Sequence, residues 1–477
     1  MGGITRRGWL RAGLGAAAWG LAGPWARAGA GARGQEAGDL GLAPVGEMPV
    51  RPSREIEASP LGVGFEVLDR KIFDPHRATP WVGKLGVKWA RCQTGWARTE
   101  TTQGEYDFGW LDDVVDGLLA VGVQPWFNLG YGNPLYSPGA DAAAVGWVPV
   151  FDESARQAWV RYTRAIAEHF AGRVQHWEIW NEPNISHFWK PKKSDPADYA
   201  ALVALTAPEI RRRVPDAVII GGATAGIDVP FVRGCLEHGL AAHVDKVTYH
   251  PYRRRPEAGY RDQVTALREA LAAHKKGIEI WQGENGCPSR QGGSGALSGL
   301  PWTETLQAKW LLRRILTDLL LDVEMTSYFV IVDLVGYRGK RNDKGLLGGD
   351  YTPKPSYFAY QRLAALLDAR SERCSLRTAF EGADDGRTVA AVFRRTGRLL
   401  MAYWHPEDLF EGFGRRRVRA EIGTDAGACL ERPVLADPLT GRVYRLDGAA
   451  AGGGTWRLPS LPLVDWPLLV ADAALLE

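Results

Sequence analysis

From residue 61 to residue 368 the chain alternates short apolar runs with longer amphipathic stretches. Eight apolar runs have the length of strands: Leu61–Glu66, Leu85–Arg91, Val123–Leu129, Val174–Asn181, Ala217–Gly222, Val244–Tyr249, Gly277–Gln282 and Met325–Val332. The intervening stretches repeat apolar residues at helical spacing over 108–121, after the cap residue Asp152, and over 197–213, 229–241, 259–275, 302–321 and 355–368. Eight strands alternating with helices predict a parallel sheet closed into a (β/α)8 TIM barrel, in the α/β class.

Beyond about Asp368 the pattern changes to short β-type runs separated by turns, such as Thr388–Arg395 and Leu399–His405. This texture predicts a C-terminal antiparallel β-sandwich domain. We therefore divide the chain into residues 1–28, a signal peptide; 29–58, a flexible lead-in; 59–370, the barrel; and 371–477, the sandwich. No Gly or Pro lies between Ala364 and Arg373, so the sandwich is expected to pack on the barrel.

The first 28 residues have the features of an export signal. A twin-arginine pattern, Thr5-Arg6-Arg7-Gly8-Trp9-Leu10, is followed by an Ala/Gly-rich apolar stretch and by Ala26-Arg27-Ala28, a small-x-small cleavage site. The stretch is too short and too rich in Gly for a membrane span. The pattern predicts a bacterial protein in the periplasm or outside the cell; a chance arginine pair before a Sec signal or a lipid anchor is the alternative.

Charge and cysteine content narrow the class of protein. The formal charge of +3 becomes −1 when the four arginines of residues 1–28 are removed, which gives no reason to expect nucleic acid binding. Five cysteines do not form a disulfide framework, although pairing of Cys374 with Cys429 stays open. The histidines lack metal-ligand spacing and no Gly-rich nucleotide loop follows a strand, so no metal and no cofactor are predicted. The oligomeric state is left open.

Two glutamates follow apolar strands at the same kind of position. Glu182 follows His176-Trp177-Glu178-Ile179-Trp180-Asn181 and is stopped by Pro183, and Glu284 follows Ile278-Glu279-Ile280-Trp281-Gln282-Gly283. In a barrel these positions lie at the carboxyl ends of strands four and seven, where working residues lie. Two carboxyl groups there are the requirement for glycoside hydrolysis. A lone strand-end glutamate is more often an ion-pair partner.

The pair of glutamates, with Trp180-Asn181-Glu182-Pro183 on strand four, resembles the clan A retaining glycoside hydrolases over residues 60–370. A barrel with a C-terminal sandwich is most similar to glycoside hydrolase family 39, with family 5 next. The resemblance implies Glu182 as acid/base and Glu284 as nucleophile, and Asn181 as a ligand of the substrate 2-hydroxyl.

Three further residues match the pattern of the clan. Arg91, on strand two, matches an arginine near the nucleophile and would keep Glu284 ionised; pairing with Glu66 inside the barrel is the alternative. His250-Pro251-Tyr252 at strand six matches a His-x-Tyr motif that orients the nucleophile and contacts sugar. His250 as a satisfied core histidine is the alternative reading.

Aromatic residues near the strand ends are candidates for sugar stacking, because apolar sugar faces pack on flat rings. The chain has 19 tryptophans, and Trp180 and Trp281 stand beside the two glutamates. Many clan members carry a tryptophan at the end of strand eight, where this sequence has Tyr328 and Phe329. We predict Trp180, Trp281 and Tyr328 as substrate contacts, with Phe329 or Trp302 as alternatives to Tyr328.

The sequence thus predicts an exported retaining β-glycoside hydrolase that cleaves O-glycosidic bonds of oligo- or polysaccharides by double displacement, with a carbohydrate as its partner. A transglycosylase with the same two glutamates and a non-hydrolytic glycan-binding protein are the alternatives. The sugar, the linkage and endo or exo action stay open.

Overall fold

The computed structural model describes residues 40–337, 339–382, 386–423 and 429–477. The predicted signal peptide lies outside the described residues. After a first strand, β1 (Pro44–Glu47), the chain forms a closed barrel of eight parallel strands. These are β2 Leu61–Gly64, β3 Trp89–Gln93, β4 Gln124–Leu129, β5 His176–Ile179, β6 Val218–Ala225, β7 Lys246–His250, β8 Glu279–Gln282 and β9 Met325–Tyr328. The predicted TIM barrel is confirmed.

Helices surround the barrel: α1 Pro75–Leu85, α2 Trp96–Thr99, α3 Gly109–Ala120, α4 Glu153–His169, α5 Pro196–Arg211, α6 Val229–Glu237, α7 Tyr260–His274, α8 Glu304–Leu320 and α9 Pro355–Leu366. Side-chain caps start several of them; Asp152 accepts from the Ala155 amide and Thr303 from that of Leu306. The sequence pattern missed α1, and the strand predicted from Leu85 therefore starts too early. Pro75 at the first turn begins α1, and Gly86, in the left-handed region, ends it. None of the described helices is both long and apolar enough to cross a membrane.

A short hairpin, β10 (Leu334–Tyr337) and β11 (Lys340–Asn342), follows the last barrel strand. The C-terminal strands then form antiparallel pairs: β12 Ser371–Cys374, β13 Thr378–Gly382, β14 Val389–Arg395, β15 Arg398–Trp404, β16 Arg416–Gly423, β17 Pro433–Ala436, β18 Arg442–Arg445, β19 Ala450–Gly452, β20 Thr455–Leu463 and β21 Leu468–Asp472. They make a seven-stranded sheet, β1-β18-β17-β21-β15-β14-β12, and a four-stranded sheet, β13-β16-β20-β19. Tyr403 joins the two, because its ring stacks on Phe380 and its hydroxyl donates to the Pro462 carbonyl at 2.9 Å. No disulfide joins Cys374 to Cys429.

The lead-in contains structure that the sequence did not reveal. The composition of residues 29–58 predicts a flexible lead-in, but Pro44–Glu47 is strand β1 and pairs with β18, and Ser53–Glu55 is a 3-10 helix. The pairing explains the error: strand β1 is short and exposed on its own, and only a partner about 400 residues later in the chain makes it a strand.

The barrel and the C-terminal sheets pack on each other through buried polar contacts. The indole of Trp404 donates to Glu257 at 2.7 Å, Arg313 pairs with the same carboxylate at 2.7 Å, and Lys309 pairs with Asp465 at 2.7 Å. Buried charges are stable only when they are paired, so these contacts hold the two parts in one arrangement.

Asp368 is a three-way junction, and we expect its loss to destabilise the protein. Its buried carboxylate accepts from Arg51 of the lead-in at 2.9 Å, from Arg370 at 2.6 Å and from Arg395 of the sheet at 3.0 Å. Burial opposes ionisation, but the hydrogen bonds from these arginines hold the pKa of Asp368 below its usual value. Asp368→Asn should lower the free energy of unfolding at pH 7 by about 3 kcal/mol, as measured by denaturant titration.

The pH dependence gives the sign of this effect. A depressed carboxyl pKa contributes stability above the unfolded value of about 4, and that contribution is lost as the pH falls toward the folded value. The difference in free energy of unfolding between wild type and Asp368→Asn should therefore become smaller below about pH 4. Asp322→Asn is the matched control, because the ion pair of Asp322 with Arg373 also links barrel and sheet. Asp322 is 56% exposed, so this variant should lose about 1 kcal/mol or less in free energy of unfolding. Equal losses in the two variants would contradict the prediction.

Candidate active site

Glu182 is held at the carboxyl end of β5 by an unusual backbone. Trp180 has φ 68° and Glu182 has φ 45°, both in the left-handed region that non-glycine residues rarely adopt. The amide of Glu182 donates to the Ala223 carbonyl of β6 at 2.8 Å. Such strained positions cluster at functional sites, and here the backbone presents the Glu182 side chain to the pocket.

Glu284 lies one residue beyond Gly283 at the end of β8, and a tight crossing follows it. A Cβ atom on Gly286 would come 2.1 Å from the carbonyl oxygen of Phe329, so only glycine allows the chain past the end of β9. The phenol of Tyr252 donates to Glu284 Oε1 at 2.7 Å, and Arg91 donates to Glu284 Oε2 at 2.9 Å. Both carboxylate oxygens of Glu284 are therefore fixed by a donor.

The two glutamates lie close enough for double displacement. One carboxylate oxygen of Glu182, one of Glu284 and a ring nitrogen of His250 all lie within 4.8 Å of one another. Nδ1 of His250 lies 3.1 Å from Glu182 Oε1 and 3.7 Å from Glu284 Oε2. Retaining enzymes keep their carboxyl groups about 5–5.5 Å apart, whereas inverting enzymes need room for a water between them. The arrangement has the short spacing.

Arg91 is fully buried and uses its whole guanidinium within the site. Nε and Nη2 contact Glu178 Oε2 at 2.7 and 2.6 Å, and Nη2 also donates to Asn181 Oδ1 at 2.9 Å. Nη1 contacts Glu284 at 2.9 Å and Glu66 at 3.1 Å. The sequence suggested two alternative partners for Arg91, the nucleophile and Glu66. In the structure Arg91 contacts both.

These charges control the ionisation of the predicted nucleophile. Burial alone would raise the pKa of Glu284, but His250, Arg91 and the Tyr252 hydrogen bond together hold it below its usual value. Burial raises the pKa of Tyr252 well above its usual value, so its phenol keeps its proton and acts as a donor. Glu284 is thus an ionised carboxylate near neutral pH, the form that a nucleophile requires.

Several residues of the site were not singled out as site residues from the sequence. Glu178 is buried in β5 and binds Arg91 and Asn128. Lys344 also lines the pocket, and burial lowers its pKa to about 8. The polar Glu178 inside an apolar strand was a usable signal, whereas Lys344 follows the β10–β11 hairpin, whose position only the fold determines.

Three predicted sugar contacts do not line the pocket. The indole of Trp180 is buried and donates to the Phe188 carbonyl at 2.7 Å. Trp281 stacks on Trp126 in a separate cluster inside the barrel, and the phenol of Tyr328 donates to the Cys287 carbonyl at 3.1 Å. Trp302, the other alternative, is buried against Phe410. Of the five predicted aromatic contacts and alternatives, only Phe329 is among the residues that line the described pocket.

The pocket has a volume of about 290 Å³ and opens above the two glutamates. Asn181 and Phe329 line it, and Tyr131 stacks on Phe188 at one wall with ring centroids 5.6 Å apart. Tyr337 of the hairpin reaches the pocket from above and accepts from Arg70 at 2.7 Å. Flat rings beside polar groups are the composition of a sugar-binding site.

Glu182, His250 and Glu284 are also the residues that could in principle hold a metal ion among those described. Arg91 places a fixed positive charge 2.9 Å from Glu284 Oε2, which disfavours a cation at the same oxygen. Among the three, His250 and Glu182 are joined by a hydrogen bond of 3.1 Å.

Comparison with known proteins points to one family. A model of the glycosyl hydrolases family 39 matches residues 85–283. A β-xylosidase of Geobacillus stearothermophilus is 28% identical over 159 residues, 31% of each chain. A β-xylosidase of Caldicellulosiruptor saccharolyticus is 23% identical over 298 residues, 56% of this chain and 58% of that protein. The chain therefore spans 31% of the length of the first relative and 58% of the length of the second.

A solved structure supports the fold over most of the chain. The family 39 glycoside hydrolase from the gut symbiont Bacteroides cellulosilyticus WH2 aligns with a TM-score of 0.65 at 20% identity. The alignment covers 88% of this chain and 81% of that chain, and so includes both the barrel and the C-terminal sheets.

Proposed function

Because the chain is a clan A glycoside hydrolase most similar to family 39, we propose that it is a retaining β-glycosidase with Glu182 as acid/base and Glu284 as nucleophile. The observation that carries this proposal is the short spacing of the two carboxylates, within 4.8 Å through their nearest oxygens, around His250.

In the first step Glu284 attacks the anomeric carbon while Glu182 gives its proton to the leaving oxygen. The glycosidic bond breaks, an ester bond to Glu284 forms, and the aglycone leaves as an alcohol. Arg91 and Tyr252 hold the two oxygens of Glu284, so that the nucleophile is oriented before the substrate binds.

In the second step Glu182, now ionised, takes a proton from water, and the resulting hydroxide attacks the same carbon. The ester bond to Glu284 breaks and the sugar leaves with its original anomeric configuration. His250, 3.1 Å from Glu182, keeps that carboxyl in place through both steps.

For the substrate, we propose β-xylosides, since the two relatives described above, which align over 159 and 298 residues, are β-xylosidases. The pocket volume of about 290 Å³ is at the lower end of the range for ligand sites, which suits a terminal sugar rather than the middle of a polymer.

For localisation, we propose export across the bacterial inner membrane on the basis of the twin-arginine pattern, and fractionation of expressing cells tests it.

We expect the first product released from 4-nitrophenyl β-D-xylopyranoside to be β-xylose. Double displacement retains the configuration, and proton NMR within the first minutes distinguishes the β anomer before mutarotation. α-Xylose as the first product would mean that the two carboxylates act by single displacement. No turnover of any β-glycoside, with binding intact, would favour a glycan-binding protein.

A further inference from the structure

Glu66 is a third carboxyl group in the site, with no part in the two chemical steps. It follows β2 by two residues, is 2% exposed, and lines the pocket together with Glu284. Its Oε2 lies 3.1 Å from Arg91 Nη1, and its Oε1 has no hydrogen-bond partner in the described part of the chain. Unpaired buried carboxyl oxygens are costly, so this position calls for an explanation.

Arg91 makes five close contacts with four side chains, and three of these contacts are hydrogen bonds. Nε donates to Glu178 and Nη2 donates to Asn181, and Nη2 also lies 2.6 Å from Glu178 Oε2. Nη1 donates to Glu284 Oε2 at 2.9 Å and also lies 3.1 Å from Glu66 Oε2. One guanidinium nitrogen is therefore shared between the nucleophile and Glu66.

We propose that Glu66 is a positioning residue for the nucleophile, which holds the second hydrogen of Arg91 Nη1 and so prevents Arg91 from binding Glu284 with both. The inference rests on the proposed function, in which Glu284 attacks the sugar. A carboxylate held by more donors is a weaker base and a poorer nucleophile. Arg91 thus keeps Glu284 ionised, while Glu66 limits how strongly Arg91 binds it and keeps it reactive.

The local packing is built around this position of Glu66. A Cβ atom on Gly64 would come 3.0 Å from Glu66 Oε1 and 3.6 Å from the Phe329 ring, so glycine at 64 leaves room for the carboxyl beside the pocket. The charged groups that act on Glu66 are Arg91, Glu284 and Glu178. Burial, the largest effect, raises the pKa of Glu66 to about 8, so the group is neutral in the acid range and accepts from Nη1 as an uncharged carbonyl oxygen.

The test compares Glu66→Ala with Glu66→Gln in pH profiles of kcat/KM on 4-nitrophenyl β-D-xylopyranoside. The acid limb of this profile reports the ionisation of Glu284 in the free enzyme. Without an acceptor at position 66, Arg91 turns toward Glu284, so in Glu66→Ala we expect the acid limb to move to lower pH by about half a unit and kcat/KM at the optimum to fall about tenfold. Glutamine offers Nη1 the same neutral acceptor and should restore the wild-type limb and most of the rate.

The outcomes separate this inference from a purely structural role and from the proposed function. A structural role would lower the melting temperature of both variants and leave the acid limb in place, which would overturn the inference. An acid limb that moves to higher pH in Glu66→Ala would also overturn it. Wild-type protein that hydrolyses no β-glycoside would refute the proposed function instead, and the positioning role with it. The inference is supported if the acid limb moves to lower pH in Glu66→Ala and returns to its wild-type position in Glu66→Gln.

Discussion

Glu284→Ala is expected to lose about 10⁴- to 10⁶-fold in kcat/KM, because the variant has no nucleophile and the catalytic pair acts as a unit. Azide fits the space left by the side chain and can attack the anomeric carbon directly. The product should then be the glycosyl azide of inverted configuration, since only one displacement occurs. Product NMR with a 2,4-dinitrophenyl β-glycoside decides the configuration.

Glu182→Ala should behave differently with the same substrate. A good leaving group needs no proton, so Glu284 still forms the ester, but no base then activates water and the intermediate accumulates. Azide needs no base, and should restore turnover with retained configuration. If Glu182→Ala gave the inverted azide, or Glu284→Ala the retained one, the two roles would be exchanged.

Glu279→Gln is the matched control for both glutamate variants. Glu279 lies at the amino end of β8, five residues before Glu284, and its side chain is 54% exposed. The working end of a barrel strand is its carboxyl end, so activity should stay within about twofold of wild type. A large loss in this control would show that charge alone, rather than position, is being measured.

The second large effect is expected at Arg91. Arg91→Met removes the positive charge that holds the pKa of Glu284 low, so the acid limb of kcat/KM should move to higher pH by at least about one unit. The loss of orientation of Glu284 and Asn181 should cost a further factor of about 10² in rate at the optimum. Breaking a buried ion pair should also lower the free energy of unfolding by about 3–5 kcal/mol.

Arg314→Met separates the catalytic from the structural part of this effect. Arg314 is as deeply buried as Arg91, but it pairs with the buried Asp318, whereas Arg91 pairs with Glu284. We expect a comparable loss of stability in denaturant titration with an unmoved acid limb. An acid limb that moved equally in both variants would mean that unfolding, and not the charge at Glu284, causes the change.

The sequence predicts a site residue correctly where the end of a barrel strand determines the direction of its side chain. Glu182, Glu284, His250 and Tyr252 come together in the structure as the strand-end rule places them. Trp180 departs from it because its left-handed φ breaks the two-residue alternation and directs the indole toward Trp159 and Trp189. A left-handed backbone is readily predicted from sequence at a glycine, but not at a tryptophan.

The remaining differences arise from tertiary contacts. Trp281 is on a barrel strand as predicted, but it lies low in the interior, where Trp126 and Met325 surround it, and no strand pattern reveals the layer. Tyr337 and Lys344 come from within and just after the hairpin that follows β9, which reaches the pocket only after the barrel closes. The barrel, by contrast, follows from local alternation alone, which is why its eight strands could be found in order.

The pairing of β1 with β18 has a consequence for synthesis. Pro44 opposes Tyr444, so β1 has to wait for its partner until about 400 further residues have been synthesised. Every barrel strand is complete by then, whereas the edge of the seven-stranded sheet next to β18 stays uncovered. Contacts so distant along the chain form slowly. Strand β1 therefore pairs only after the barrel strands have been synthesised, and a chain that stops before β18 leaves it without this partner.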